Sequence, residues 1–111
     1  MPSQDPTSLL SSITSKITYS GTSNQVKLGG SKTFTVTFLE EDNPVEHDYG
    51  TWSIFMDGDI DVTDQLSPSY PAENKLRIKI PRDNDLIGKI LSIVHTSEDI
   101  VSSTDVEIKA L

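Results

Sequence analysis

Four aspartates crowd one short stretch, Asp57, Asp59, Asp61 and Asp64, with Gly58 among them. Carboxylate oxygens are the ligands that hard cations such as calcium prefer, and carboxylates spaced by two along an extended segment project from one side of it. The calcium loop of helix-loop-helix sensors begins with this alternation, but it also needs glycine at its sixth position and glutamate at its twelfth. Counted from Asp57, those places hold Val62 and Pro68, so the segment is not that motif. Two readings stand: a solvated hairpin whose Asp57-Gly58 supplies the turn, or a calcium site built from Asp57, Asp59, Asp61 and Asp64. No cofactor other than calcium is expected.

The remaining reactive side chains do not form a catalytic set. His47 and His95 are the only histidines, and they fall on different elements, a loop and a strand, so neither zinc nor acid-base chemistry is expected of them. His95 reads as a satisfied polar residue near the end of its strand. No Gly-x-Ser-x-Gly or Ser-x-x-Lys pattern with partners occurs, and Ser12 and Lys16 are spaced wrongly for such a pair. Gly29-Gly30-Ser31-Lys32 is too short for a phosphate loop and opens a strand instead of a helix. The absence of cysteine removes thiol catalysis and thiolate metal sites. For sugars, sandwiches of strands commonly offer aromatic platforms, and Tyr70, with Tyr49 second, is the candidate for an exposed ring.

The elements that would carry these residues are strands. Lys32 to Leu39 alternates Phe34, Val36 and Phe38 with threonines, and Lys75 to Ile80 alternates Leu76, Ile78 and Ile80 with cations. Trp52, Ile54 and Met56 share one face of a further strand that turns at Asp57-Gly58 and returns through Ile60 and Val62. Ile17-Thr18-Tyr19 is a first strand, Asn24 to Leu28 a short edge segment, and the final pair is 88–95 and 104–111. Between Ile90 and Val94 both parities are apolar; an inward set of Leu91, Ile93 and His95 is favoured over Ile90 and Val94. Leu86-Ile87 and Ile100-Val101 fall in expected loops, either tucked under one end or forming a contact patch. No helix is expected inside the domain. Residues 1–12 read as a flexible tail or linker, or as a short helix opened by Asp5-Pro6, and the folded domain as 13–111.

Composition bounds the partners. With 9 basic and 17 acidic residues the formal charge is −8, a sign that repels phosphate backbones and anionic lipid headgroups. Nucleic acid is therefore not an expected partner. No apolar run reaches the ~20 residues that span a bilayer, and the first residues lack a basic start followed by an apolar stretch, so neither membrane insertion nor a secretion signal is expected. The 15 serines and 11 threonines suit wet sheet faces and turns more than long helices.

A buried tryptophan before a tight turn, and seven to eight strands at intervals of roughly a dozen residues, are the marks of an immunoglobulin-like β-sandwich of antiparallel strands. The chain from about residue 13 onward resembles the bacterial Ig-like domains fused to structural proteins of tailed bacteriophages of Gram-positive hosts. The residues that carry the resemblance are Trp52-Ser53-Ile54, Asp57-Gly58, Val62-Thr63, Lys75 to Ile80, Leu86 to Leu91 and Val106-Glu107-Ile108, with Ile13 to Thr18 and Val26 to Lys32 upstream. The resemblance implies a non-catalytic accessory module exposed on a virion, on a capsid, tail or baseplate protein. Its implied partners are other virion proteins or host cell-surface glycans. The alternative is a glycan-binding adhesin domain using Tyr70 and Tyr49, assisted by calcium or not.

Overall fold

The computed structural model describes residues 13–111, and the tail or short helix expected over 1–12 lies outside them. Nine strands follow one another: β1 (Ile13–Tyr19), β2 (Gln25–Lys27), β3 (Ser31–Glu40), β4 (Asn43–Val45), β5 (Thr51–Met56), β6 (Ile60–Asp61), β7 (Lys75–Lys79), β8 (Ile90–Ser97) and β9 (Ile100–Lys109). They form two sheets. The first is built on β3, whose one edge carries β1 from Ile13↔Glu40 to Tyr19↔Phe34, and whose other edge carries β7 and then β4. The second runs β2-β9-β8-β5-β6.

The expected two-sheet architecture is what the chain adopts, with three local differences. The acidic run Glu40 to Pro44, whose composition reads as the end of a strand and the start of a loop, is a tight hairpin. Glu41 and Asp42 both take left-handed backbone angles, φ 51° and 68°, as a two-residue hairpin turn requires, and they return the chain as β4. Second, β2 pairs with β9 in parallel, because the chain passes from one sheet to the other between Tyr19 and Gln25 without reversing. That crossing is clamped by Lys32, a buried residue on β3 whose ammonium donates to the carbonyls of Ser20 (2.6 Å) and Ser23 (2.8 Å) and lies 4.8 Å from the centre of the Tyr19 ring. Burial lowers its pKa. Third, the link expected over Thr96 to Ser103 shrinks to Glu98-Asp99, since Ser97 already pairs with Ile100. Two short 3₁₀ turns, Thr63–Leu66 and Asn84–Leu86, occupy stretches read as loop.

Period-two alternation decides what each strand buries. Phe34, Val36, Ile54, Leu76, Ile78, Ile93 and Ile108 are at most 1% exposed and meet between the sheets. Each fully buried aliphatic or aromatic side chain contributes about 1.5–3 kcal/mol by leaving water. Trp52 belongs to this core. Strand β8 settles its ambiguous register with Leu91, Ile93 and His95 inward and Ile90 exposed. Leu86 tucks against the core while Ile87 stays exposed, and Ile100-Val101 belongs to β9 and not to a loop.

Candidate functional site

The aspartate cluster does not converge. Met56↔Ile60 is the last pair of the β5–β6 hairpin, so Asp57, Gly58 and Asp59 make up its turn. Asp57 and Gly58 have φ of 55° and 92°, and an i, i+2 row shares a face only while the backbone stays extended. Of the four carboxylates only Asp61 stands on a strand. It accepts hydrogen bonds from the Thr63 backbone N–H (2.9 Å) and hydroxyl (2.7 Å), which hold its carboxyl below the usual range. The same Thr63 hydroxyl accepts from the Ile54 N–H (2.9 Å), tying the hairpin's exit to β5. Asp57 faces Lys89 at 3.3 Å, and Asp64 sits in the 3₁₀ turn. Among the described residues no three His, Asp or Glu side chains group to hold a metal ion. The calcium arrangement expected of Asp57, Asp59, Asp61 and Asp64 is thus not formed in this conformation.

A constellation that sequence spacing did not suggest lies at the opposite end of β5. The segment 46–50 and Glu73 line an open cavity of about 740 Å³ that carries three carboxylates, Glu46, Asp48 and Glu73. His47 rests on Phe38, ring centres 4.7 Å apart, with its Nε2 3.6 Å from Glu98 and its Nδ1 3.4 Å from the Ser97 hydroxyl. Serine, histidine and glutamate in that order invite comparison with a hydrolytic triad. The hydrogen bonds exclude it. Ser97 donates to the Asp48 carbonyl at 2.6 Å, and His47 Nδ1 lies 2.9 Å from that same carbonyl, so Nδ1 must carry its proton there and is no base toward Ser97. Ser97 is itself buried. The group fastens the loop to β8, and Gly50 completes the fastening: a Cβ on it would stand 1.7 Å from the Thr96 carbonyl oxygen.

Beneath this loop His95 departs from the satisfied strand-end residue expected of it. It is 0% exposed, packed edge-on against Trp52 (4.8 Å between ring centres) and Phe38 (5.9 Å), and neither ring nitrogen has a hydrogen-bond partner among the described residues. Burial without a partner favours the neutral ring and lowers its pKa. The two candidate tyrosines also differ. Tyr49 lines the acidic cavity, leans on Phe38 at 5.5 Å and is 39% exposed, whereas Tyr70 is 58% exposed and does not line that cavity. The structure gives them no shared platform in that cavity.

No protein-family model matches the chain, and no curated protein matches it at the level of sequence. Among solved structures it is similar to a chimeric titin Z1Z2 functionalized with a KLER exogenous peptide from decorin. The two share 16% identity at a TM-score of 0.55, over 86% of this chain and 93% of that one. At that identity the likeness speaks of architecture alone: the chain folds as an immunoglobulin-like β-sandwich.

Proposed function

We propose that the chain is a non-catalytic interaction module carried by a larger virion structural protein, where it makes protein contacts or holds the particle weakly to the host surface. The observation that supports this reading is the placement of both histidines, Ser97 and the hairpin aspartates. His95 is sealed in the core, His47 and Ser97 are spent on the Asp48 carbonyl, and among the described residues the hairpin aspartates form no group able to hold a metal ion. What the molecule offers instead is broad strand surface rich in serine and threonine, suited to contact and not to turnover. The placement on a phage particle rests on the sequence resemblance. Its test is reversible retention of the purified chain on cell walls of a Gram-positive host and on purified tail or capsid proteins; failure to bind either would overturn the reading. The exposed ring of Tyr70 favours the adhesin as second reading, in which Tyr70→Ala abolishes wall binding. A calcium-assisted form of it would require the hairpin to rearrange around the ion.

A further inference from the structure

The first sheet turns a cationic, carboxylate-free face to solvent on an otherwise acidic molecule. On β7 the outward residues are Lys75, Arg77 and Lys79, spaced about 6.7 Å apart along the strand. Lys16 stands on the same face of β1, two strands across the sheet (about 9.5 Å) and a further two residues (about 6.7 Å) along it beyond Lys75. Between them β3 presents Ser31, Thr33, Thr35 and Thr37, and Thr14 and Thr18 flank Lys16. None of the four cations forms an ion pair with a described carboxylate, and among the described residues the only hydrogen bond holding one of their ammonium groups is Lys75 to the Thr35 hydroxyl at 3.0 Å. The formal −8 less these four positive charges leaves −12 on the rest of the chain, so the charge is segregated and not merely scattered.

The face also has depth at one end. Backbone hydrogen bonds between Ser69 and Arg77, 2.9 Å in each direction, draw the 67–69 segment along the outer edge of β7. Two adjoining clefts of about 280 and 330 Å³ result, sharing Ser67 and Lys79. Arg77 and the hydroxyls of Ser31 and Ser69 line one, Arg82 and Gln65 the other, and neither is lined by an acidic residue.

We infer that this face binds an anionic polysaccharide, with the clefts beside Lys79 receiving its sulfate, carboxylate or phosphate groups. The inference rests on the reading of the chain as a binding module and names the ligand class. Charge complementarity supplies the attraction, and the hydroxyl rows match a partner that is itself dense in hydroxyls. No aromatic ring stands on the outward positions of β1, β3 and β7, so the strand face itself offers no platform for stacking bases. Leu39 is the one aliphatic side chain among those positions, too little for the apolar centre on which protein interfaces rely.

The test is retention of the purified chain on immobilised heparin and polygalacturonate at low salt, with neutral dextran and single-stranded DNA alongside. The expected result is binding to both acidic polysaccharides, none to dextran, and release as salt rises toward about 0.15 M. K16Q/R77Q/K79Q should weaken binding roughly tenfold or more, while K27Q/K89Q/K109Q, with the same change in net charge, should stay within about threefold of the parent. Should the triple face variant fail to fold, Arg77→Gln and Lys79→Gln taken singly must each weaken binding. No retention at low salt, equal losses in the two triple variants, or tighter binding to DNA than to either polysaccharide would overturn the inference. Wall binding that survives in the face variant but is lost in Tyr70→Ala would overturn it too, while leaving the interaction-module reading intact.

Discussion

Two stretches of this chain are written with the same spacing and end in different places. Asp57, Asp59 and Asp61 repeat a charge at every second residue, and so do Lys75, Arg77 and Lys79. On β7 the backbone stays extended, Leu76 and Ile78 alternate into the core at 0% exposure, and the three cations share one face. In the hairpin the chain turns at Asp57-Gly58 with positive φ, no buried residue alternates with the charges, and only Asp61 stays on a strand. Charge spacing therefore predicts a common face only where apolar residues between the charges anchor the strand. The row that looked like a ligand set scatters, and the row that looked like the wet side of a strand converges.

The sharpest way to break this comparison is to remove one alternating residue from each stretch. Ile78→Ala should cost about 2–5 kcal/mol in denaturant unfolding, since it opens a cavity in the core. Ile60→Ala, at a side chain 49% exposed, should cost less than about 1 kcal/mol. Similar losses at the two sites would mean that the hairpin is anchored as firmly as β7. Next in size is Thr63→Val, which removes the hydroxyl that bonds Asp61 and accepts from Ile54, at about 1–3 kcal/mol. By NMR the Asp61 carboxyl should also titrate closer to its usual 3.8 in that variant. An unmoved Asp61 would show that the Thr63 hydroxyl does not hold it, leaving the backbone N–H of residue 63, which the variant keeps.

How much of this was legible depends on what each residue reports. Alternation in β3, β5 and β7 is a direct record of burial, so the sandwich and its core tryptophan were readable, whereas in β8 both parities are apolar and alternation did not decide the inward set. The hairpin at Glu41-Asp42 was not readable, because acidic residues in the left-handed region leave no glycine or asparagine as a marker. The start of β9 was hidden by Ser102 and Ser103, which read as loop though they pair with His95 and Val94. The His47, Ser97 and Glu98 group joins residues 50 apart or more, and Arg77 meets Ser69 only through the edge of β7. Tertiary pairing placed those, and no local spacing encodes it.

Acid reaches the core, through His95, and the hairpin, through Asp61, at different pH. The folded pKa of His95 is depressed below 6.5 by burial, so as pH falls past about 6.5 the unfolded chain takes up the proton first. The His95-dependent stability is therefore complete above that pH and declines below it, by at most about 1.4 kcal/mol per pH unit. Thermal melts from pH 8 to 5 should show this slope, and His95→Phe should abolish it. A slope unchanged in the variant would place the titration elsewhere. In the His95→Phe background the loss of stability at lower pH belongs to carboxylates, among them Asp61: its depressed pKa makes its contribution present above 3.8 and lost as pH falls further.

The smallest expected effect is a difference of sign. Lys89 faces Asp57 at 3.3 Å with both side chains nearly half exposed, so Lys89→Ala should destabilise, by no more than about 1 kcal/mol. Arg77 instead has like charges on both sides at about 6.7 Å along the strand, each repelling by roughly 0.6 kcal/mol in water before screening. Arg77→Gln should accordingly leave stability unchanged or raise it slightly at low salt, with the gain vanishing as ionic strength rises. Chemical unfolding in urea at two salt concentrations resolves the pair, since urea leaves the ionic strength alone. A loss at Arg77 equal to that at Lys89 would mean that the cations of β7 are held by unseen carboxylates, and the segregation of charge on that face would be false.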